Sequence, residues 1–291
     1  MTDSHSLRPP ASSKSLRDKP IGVFDSGVGG LTVLREIHAR LPRENTLYLG
    51  DTARVPYGIR SAETVTRYSL GNTRFLIEKG IKLLVIACNT ASAISLDAIR
   101  ETFNIPIVGV IEPGARAAVD GFHGRKIGVI GTEATIKSGA YRKAILIVDP
   151  SAHVFERACP LFVPLVEEGW LDDPITQEVA RRYLGPFESD GIESLVLGCT
   201  HYPLLKNVIQ RVVARSVTLI DSAVETARTV EQTLQDLDLI RGFNEAHRPD
   251  ASRKYFVTDT PERFLAVGGK FLPKPLDDVE KIDIMSLETA T

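Results

Sequence analysis

The sequence predicts an α/β protein made of two similar, doubly wound lobes, each built on a parallel sheet. From residue 20 onward, short β-branched apolar runs alternate with segments of helical period, which is typical of strand-helix-strand units. The pattern then begins again, because IGVFDSG at residue 21 and IGVIGTEAT at residue 127 both resemble a first strand that ends in a polar loop. We therefore expect pseudo-two-fold symmetry between the lobes and an active site in the cleft between them.

The first half contains four short apolar runs that are predicted to be buried parallel strands. They are residues 21–24, 46–50, 83–88 and 105–111. Amphipathic helices are predicted between them, at about 30–40, 61–79 and 91–103.

The second half repeats this order. Its predicted strands are residues 126–131, 153–158, 194–199 and 217–221, with helices at about 174–189 and 203–213. A helix at about 222–235, a strand at 254–259 and a helix at 261–271 follow, and we expect them to pack back on the first lobe. The predicted domains are therefore lobe A, residues 20–112 plus 222–272, and lobe B, residues 113–221.

Both ends of the chain fall outside this rhythm. Residues 1–19 are rich in Ser, Pro and charge without periodicity, so they are predicted to form a disordered arm. Residues 273–291 are predicted to form a C-terminal tail.

Composition excludes several classes of protein. The 291 residues are 43% hydrophobic and 25% charged with a net charge of −2, the values of an ordinary globular protein without an electrostatic footprint for nucleic acid. No apolar run is long enough for a membrane span, and the N-terminus lacks the apolar core of a secretory signal. Three cysteines are too few for a disulfide framework. A cytoplasmic protein with free thiols is expected.

Polar residues stand at the ends of the predicted strands. In open parallel sheets, ligands bind beyond the carboxyl ends of the strands. We therefore expect these residues to face one cleft between the lobes: Asp25, Asp51, Cys88, Glu112, Thr132 and Cys199.

The glycine-rich stretch FDSGVGGLTVL, residues 24–34, follows the first strand and precedes a helix. It is a weak dinucleotide motif, because Thr32 stands where the fingerprint has Gly or Ala, and Asp25 would repel a pyrophosphate. A small zwitterion suits the loop better, since N–H groups at a helix start accept a carboxylate and Asp25 accepts an ammonium. Glycines that serve only a tight turn are the structural alternative.

Two of the three cysteines occupy matching places. Cys88 is followed by Asn89 and Thr90, and Cys199 is followed by Thr200 and His201, in each case at the start of a predicted helix. A helix N-terminus stabilises a thiolate, the reactive form of cysteine. Cys159 has no such context and is interpreted as structural.

Three chemistries fit two reactive thiols. A redox pair is usually closer in sequence, and a metal site formed by Cys88, Cys199 and His201 lacks the usual ligand spacing. The third is proton transfer with one acid/base on each face of a planar carbon, which is the geometry of racemisation. His201 and Asp25 are candidates to assist Cys199 and Cys88, and the acidic pair of Glu167 and Glu168 offers a further acid.

Six motifs occur in an order that resembles the glutamate racemases, a branch of the cofactor-independent aspartate/glutamate racemase superfamily. They are GVFDSGVGGLTVL, YLGDTARVPYG, ACNTASA, IGVIGT with Thr135 downstream, CPLFVPLVEEG and LGCTHYPLL. The resemblance covers about residues 20–272. It implies that Cys88 and Cys199 are the catalytic acid/bases, assisted by Asp25 on one side and by His201 and Glu167 on the other.

The same resemblance implies a set of substrate-binding residues. They are Asp25, Ser26, Pro56, Tyr57, Gly58, Asn89, Thr90, Thr132, Thr135, Thr200 and His201. It also implies that no cofactor and no metal take part, and that the product D-glutamate serves peptidoglycan synthesis. The expected partner is a small-molecule substrate, without nucleic acid or membrane. The sequence does not determine the oligomeric state, and a homodimer is compatible with it. An aspartate racemase of the same superfamily and a non-catalytic two-lobe amino-acid binding protein are the alternatives.

Overall fold

The structure is a computed structural model that describes residues 13–120, 125–242, 250–272 and 276–287. Its strands are β1 Ile21–Asp25, β2 Thr46–Gly50, β3 Leu83–Ile86, β4 Ile107–Gly109, β5 Lys126–Gly131, β6 His153–Ala158, β7 Ser194–Gly198, β8 Thr218–Asp221, β9 Arg253–Val257 and β10 Val279–Lys281. All strand pairs among the described residues are parallel.

The strands form two sheets with a common core arrangement. The six-stranded sheet has the order β10-β9-β2-β1-β3-β4, and the four-stranded sheet has the order β6-β5-β7-β8. The order β2-β1-β3-β4 in the first sheet is therefore repeated by β6-β5-β7-β8 in the second. The predicted class, two similar doubly wound lobes with parallel sheets, is confirmed.

Helices separate the strands and cover the sheets. They are α1 Ser13–Asp18, α2 Leu31–Arg40, α3 Ala62–Glu78, α4 Asn89–Thr102, α5 Ile111–Val119, α6 Glu133–Lys137, α7 Ala140–Val148, α8 Phe162–Glu168, α9 Pro174–Leu184, α10 Pro186–Asp190, α11 Lys206–Val212, α12 Ser222–Asp236 and α13 Pro261–Gly268. Short 3-10 helices lie at Tyr57–Ile59, Tyr202–Leu205 and Ile284–Leu287. No helix in these described ranges is long and apolar enough to cross a membrane.

Each sheet has one point where the chain reverses its direction of strand addition. In the first sheet β1 lies between β2 and β3, and in the second β5 lies between β6 and β7. At such a point the connections leave β1 and β3, or β5 and β7, toward opposite faces, which opens a crevice at the carboxyl ends of the strands. Asp25 ends β1 and Cys88 follows β3, whereas Thr132 follows β5 and Cys199 follows β7. The fold thus brings both cysteines to crevices of the same kind.

Several helices differ from the sequence prediction. The helices α5, α6, α7 and α8 were not predicted, and the helix expected over 174–189 is divided at Gly185 and Pro186. In α5, Pro113 and Gly114 are residues that disfavour helices, so the sequence did not predict a helix there. In α7 the apolar run AILIV resembles a strand, although Ile147 is largely exposed.

Part of the predicted N-terminal arm is ordered. Residues 13–18 form α1, and Nζ of Lys82 donates a hydrogen bond to the carbonyl of Arg17 near its end. The Arg17 guanidinium also pairs with Asp238. The prediction of disorder is therefore wrong for this helix, because its partners lie far away in the sequence. Residues 1–12 lie outside the described residues.

The predicted C-terminal tail also contributes to the fold. Residues 279–281 form β10, which pairs with β9, and the buried Leu287 packs on α3, where its carbonyl faces Gly71. A Cβ at Gly71 would lie 2.3 Å from that oxygen, so the close approach requires glycine. The interpretation of this segment as a tail is wrong for these residues, because a three-residue edge strand has no sequence signal without its partner.

Candidate active site

The first candidate thiol lies at the N-terminus of a helix. Cys88 occupies the N-cap position of α4 in extended conformation, and its side chain is buried. Its Sγ lies 3.6 Å from Oγ of Ser26, to which the thiol donates. Ser26 belongs to the loop that follows β1, so the two strands at the reversal point of the sheet together form the surroundings of this sulfur.

Burial dominates the electrostatics of this thiol. Desolvation, and then the negative charge of Asp25, raise the pKa of Cys88 to about 12. Burial also raises the pKa of Asp25, although His201 and the backbone N–H groups of residues 26, 27 and 30 oppose that rise. In the ligand-free protein Cys88 is therefore a neutral thiol with a proton to donate.

The second candidate thiol has a different partner. Sγ of Cys199 lies 3.9 Å from Nδ1 of His201, and Nε2 of the same imidazole lies 3.1 Å from Oε1 of Glu167. Burial by itself lowers the pKa of His201, but the hydrogen bonds with Cys199 and Glu167 raise it to about 10. The hydrogen bond with His201 in turn lowers the pKa of Glu167. Glu168, the other acid of the pair, is exposed.

The glycine-rich loop after β1 packs directly on the second thiol's motif. Oγ1 of Thr32 donates to the carbonyl of Thr200 over 3.1 Å. A Cβ placed on Gly29 would lie 2.2 Å from Oγ1 of Thr200 and 2.5 Å from Nδ1 of His201, so no larger residue fits there. The loop that follows Asp25 and the motif that contains Cys199 therefore meet in one site.

Three threonines form a second contact between the lobes. Oγ1 of Thr90 lies 3.0 Å from Oγ1 of Thr132 and 3.1 Å from Oγ1 of Thr135, and the last two are 2.9 Å apart. Thr132 also caps α6 and lies against Gly58, where a Cβ would come within 2.7 Å of it. A cluster of hydroxyl groups at this position can donate several hydrogen bonds to one anionic group.

A buried hydrogen-bond network anchors the short 3-10 helix that begins at Tyr57. The Tyr57 hydroxyl donates to the carboxylate of Asp51, and Nδ2 of Asn72 donates to the Tyr57 hydroxyl over 3.0 Å. Asp51 also forms a buried ion pair of 2.7 Å with Arg54. The phenol of Tyr57 therefore anchors its loop, and Pro56 beside it is exposed.

Two residues that were expected to face the cleft do not. Asp51 is buried in the network with Arg54 and Tyr57, because the next turn of chain supplies a cation for it. Glu112 lies on α5, where its carboxylate makes a bidentate pair with Arg100 at 2.9 and 3.1 Å. Position at the end of a strand was not sufficient to place either carboxylate in the site.

Two buried polar atoms in the site have no hydrogen-bond partner among the described residues. They are Oδ1 of Asp25 and Nδ2 of Asn89. The other oxygen of Asp25 accepts from the backbone N–H of Gly27 over 2.9 Å. Buried polar groups are paired in the great majority of cases, so an acceptor and a donor left open in the same site indicate a ligand with both kinds of group.

Some neighbours of the site were not found from the sequence. The hydroxyl of Tyr141 donates to Oδ1 of Asn89 over 2.7 Å, and the ring of Phe271 lies edge-on to His201 with 5.6 Å between ring centroids. Nζ of Lys270 donates to the carbonyl of Glu167 over 2.7 Å. None of the three belongs to a motif, and Tyr141 lies on the unpredicted helix α7. In the described part of the chain, no three His, Cys, Asp or Glu side chains are grouped as ligands for a metal.

Comparison with known proteins gives a consistent result. The profile of the Asp/Glu/Hydantoin racemase family matches residues 21–230. The glutamate racemase of Geobacter metallireducens is 54% identical over 266 residues, which are 91% of this chain and 97% of that protein.

Solved structures show the same fold. Glutamate racemase RacE1 of Bacillus anthracis superposes with a TM-score of 0.87 at 39% identity, covering 92% of this chain and 98% of that one. The glutamate racemase of Francisella tularensis, solved in complex with D-glutamate, superposes with a TM-score of 0.85 at 36% identity and the same coverage.

Proposed function

The chain belongs to the Asp/Glu/Hydantoin racemase family, and from that premise we propose that it interconverts L- and D-glutamate by proton transfer between Cys88, Cys199 and the α-carbon. One observation supports this mechanism above the others. Two buried thiols stand after equivalent strands of the two sheets, and each lies beside its own acid/base partner. Racemisation needs a base on one face of the α-carbon and an acid on the other.

The open polar atoms of the site match the reacting end of an amino acid. Oδ1 of Asp25 is an acceptor that suits the ammonium group, and Nδ2 of Asn89 is a donor that suits a carboxylate. The hydroxyl groups of Thr90, Thr132 and Thr135 offer donors for a second carboxylate. We propose that the remaining residues of the substrate site are Ser26, Gly58, Thr200 and His201, with Pro56 and Tyr57 shaping the loop beside them.

The proton transfers follow from the surroundings of the two sulfurs. With L-glutamate, the Cys199 thiolate takes the α-proton, and the electron pair of the broken C–H bond remains on the α-carbon and its carboxylate. Cys88 then delivers its thiol proton to the opposite face, which gives D-glutamate. The imidazolium of His201, held by Glu167, can stabilise negative charge on the Cys199 sulfur.

The reverse direction requires Cys88 as the base. The substrate ammonium is expected to lie near Asp25 and to offset the negative charge that contributes to the raised pKa of Cys88. Substrate binding is thus expected to lower the pKa of Cys88 and to favour its thiolate form.

The cellular part of the proposal rests on the resemblance and on the state of the cysteines. All three cysteines are free, which suits the reducing cytoplasm. There the product D-glutamate would supply peptidoglycan synthesis. The enzyme would work without an added cofactor, and a homodimer is compatible with this function.

The test is direct. Purified protein is incubated with L- or D-glutamate without added cofactor, and the circular dichroism signal of either enantiomer should decay to zero. In D₂O the α-proton should exchange for deuterium, which a binding protein would not catalyse. Aspartate is run in parallel, and a change of one methylene should reduce its turnover strongly. Equal rates on both amino acids, or no loss of optical activity with glutamate, would contradict the proposal.

A further inference from the structure

Tyr141 connects the two halves of the site without belonging to any of its motifs. The residue lies on α7, which packs with the second sheet, and its hydroxyl reaches Oδ1 of Asn89 on α4, which follows the first sheet. Tyr141 is 1% exposed and Asn89 is 2% exposed, so both groups are shielded from bulk solvent. The bond of 2.7 Å therefore joins two buried side chains from different lobes.

This bond determines which end of the Asn89 amide remains open. A phenol proton needs an acceptor, and burial raises the pKa of Tyr141, so the hydroxyl keeps its proton at neutral pH. The amide oxygen of Asn89 accepts that proton, and the amide nitrogen is left without a partner. Rotation of the amide by half a turn would turn its nitrogen toward the phenol, and the phenol proton would lose the amide oxygen as its acceptor.

The ring of Tyr141 is held in place by two glycines. A Cβ on Gly198 would lie 2.9 Å from Cε2 of the ring, and a Cβ on Gly114 would lie 3.3 Å from Cε1. Gly198 is the last residue of β7 and directly precedes Cys199. The ring thus fills the space between the strand end of the second thiol and the asparagine that follows the first thiol.

We propose that Tyr141 is a positioning residue that fixes the Asn89 amide with its N–H donor available to a substrate carboxylate. This inference rests on the proposed function, because it assigns Asn89 to the substrate. Tyr141 itself does not touch the substrate. Its hydroxyl also interacts with the Ser222 side chain, and its effect on the substrate passes through Asn89.

The test is a double-mutant cycle with Tyr141→Phe and Asn89→Ala. Phenylalanine keeps the ring between the glycines and removes only the hydroxyl, so the fold should survive. We expect kcat/KM for glutamate to fall about tenfold in Tyr141→Phe, mainly through a higher KM, with an unchanged pH profile. In the Asn89→Ala background, the same substitution should have almost no further effect, because coupled residues are not additive.

Tyr202→Phe is the matched control. Tyr202 is equally buried, and its hydroxyl donates 2.8 Å to the backbone carbonyl of Cys159 instead of to a site residue. Its loss should lower the melting temperature as much as Tyr141→Phe does, while kcat/KM remains at the wild-type value.

Two results would overturn the inference. They are a Tyr141→Phe protein within about twofold of wild-type kcat/KM, or an effect that persists in full when Asn89 is alanine. Failure of the wild-type protein to racemise glutamate in the same assay would instead refute the proposed function.

Discussion

Nε2 of His201 lies 3.1 Å from Oε1 of Glu167, on the side of the imidazole that faces away from Cys199. Burial lowers the pKa of His201, and the hydrogen bonds with Cys199 and Glu167, on opposite sides of the ring, together raise it. Because that pKa is about 10 and the ordinary value is 6.5, the imidazolium form is favoured at low pH and is lost as the pH rises through about 10.

Glu167→Gln tests this arrangement. Without the carboxylate, burial is less strongly opposed, so the pKa of His201 should fall and the alkaline limit of activity should move to lower pH. At neutral pH we expect kcat to decrease about 100-fold, the size of one acid/base contribution. The measurement is the pH profile of kcat with L-glutamate. Glu168→Gln, at the exposed neighbour, should match the wild type, and an unshifted alkaline limit in Glu167→Gln would exclude the role given to Glu167.

Serine substitutions of the two thiols should separate their roles. Cys88→Ser and Cys199→Ser should each abolish racemisation while the fold survives, because serine keeps the shape but is not a usable base. Each protein should still exchange the α-proton of one enantiomer with D₂O, L-glutamate for Cys88→Ser and D-glutamate for Cys199→Ser, as followed by proton NMR. Cys159→Ser is the control, since this thiol is buried in the core and donates to the backbone carbonyl of Arg157. Near wild-type racemisation by either site mutant would refute the two-thiol mechanism.

Gly29→Ala should disrupt the site by sterics alone. The added methyl group would lie 2.5 Å from Nδ1 of His201 and 2.2 Å from Oγ1 of Thr200, so one of the two lobes must move. We expect kcat to fall about 100-fold, because small displacements of an acid/base group are costly to proton transfer. Gly242→Ala, where a Cβ would meet no atom of the described residues within 4 Å, should keep full activity. Full activity of Gly29→Ala would show that the observed contact between loop and imidazole is not required.

The buried ion pair between Lys82 and Glu44 should matter for stability and not for catalysis. Nζ of Lys82 contacts Oε2 of Glu44 at 2.5 Å, and both side chains are almost fully buried. Lys82→Ala leaves a buried carboxylate without its cation, so the free energy of unfolding should fall by about 3–5 kcal/mol. Urea unfolding measures this change. Arg182→Ala, at the exposed pair with Glu178, should leave the urea midpoint at the wild-type value.

Much of the site could be predicted from the sequence because its signals are local. Cys88 and Asp25 stand at strand ends that a buried apolar run already marks, and the parallel arrangement then places them at one edge of the sheet. The expectation that a polar residue at a strand end faces the cleft failed for Asp51, because its carboxylate forms a buried ion pair with Arg54. The local sequence pattern predicts where strands end, but which groups a side chain contacts depends on the three-dimensional fold.

The parts that could not be predicted depend on contacts between distant segments. Tyr141 reaches Asn89 across 52 positions of sequence, and its own helix resembles a strand in composition. The strand β10 forms only because β9 offers an edge. Neither has a signal that single-sequence periodicity detects.

The shared strand order of the two sheets has a consequence for the surroundings of the two thiols. Two identical copies of one lobe, assembled as a symmetric pair, would be obliged to present the same neighbours to both thiols. Joining the copies in a single polypeptide removes that obligation, and each half becomes free to diverge. In this chain one sulfur has come to lie in the field of a carboxylate and the other beside an imidazole. A scaffold with nearly symmetric strand order can therefore surround its two thiols with chemically different groups.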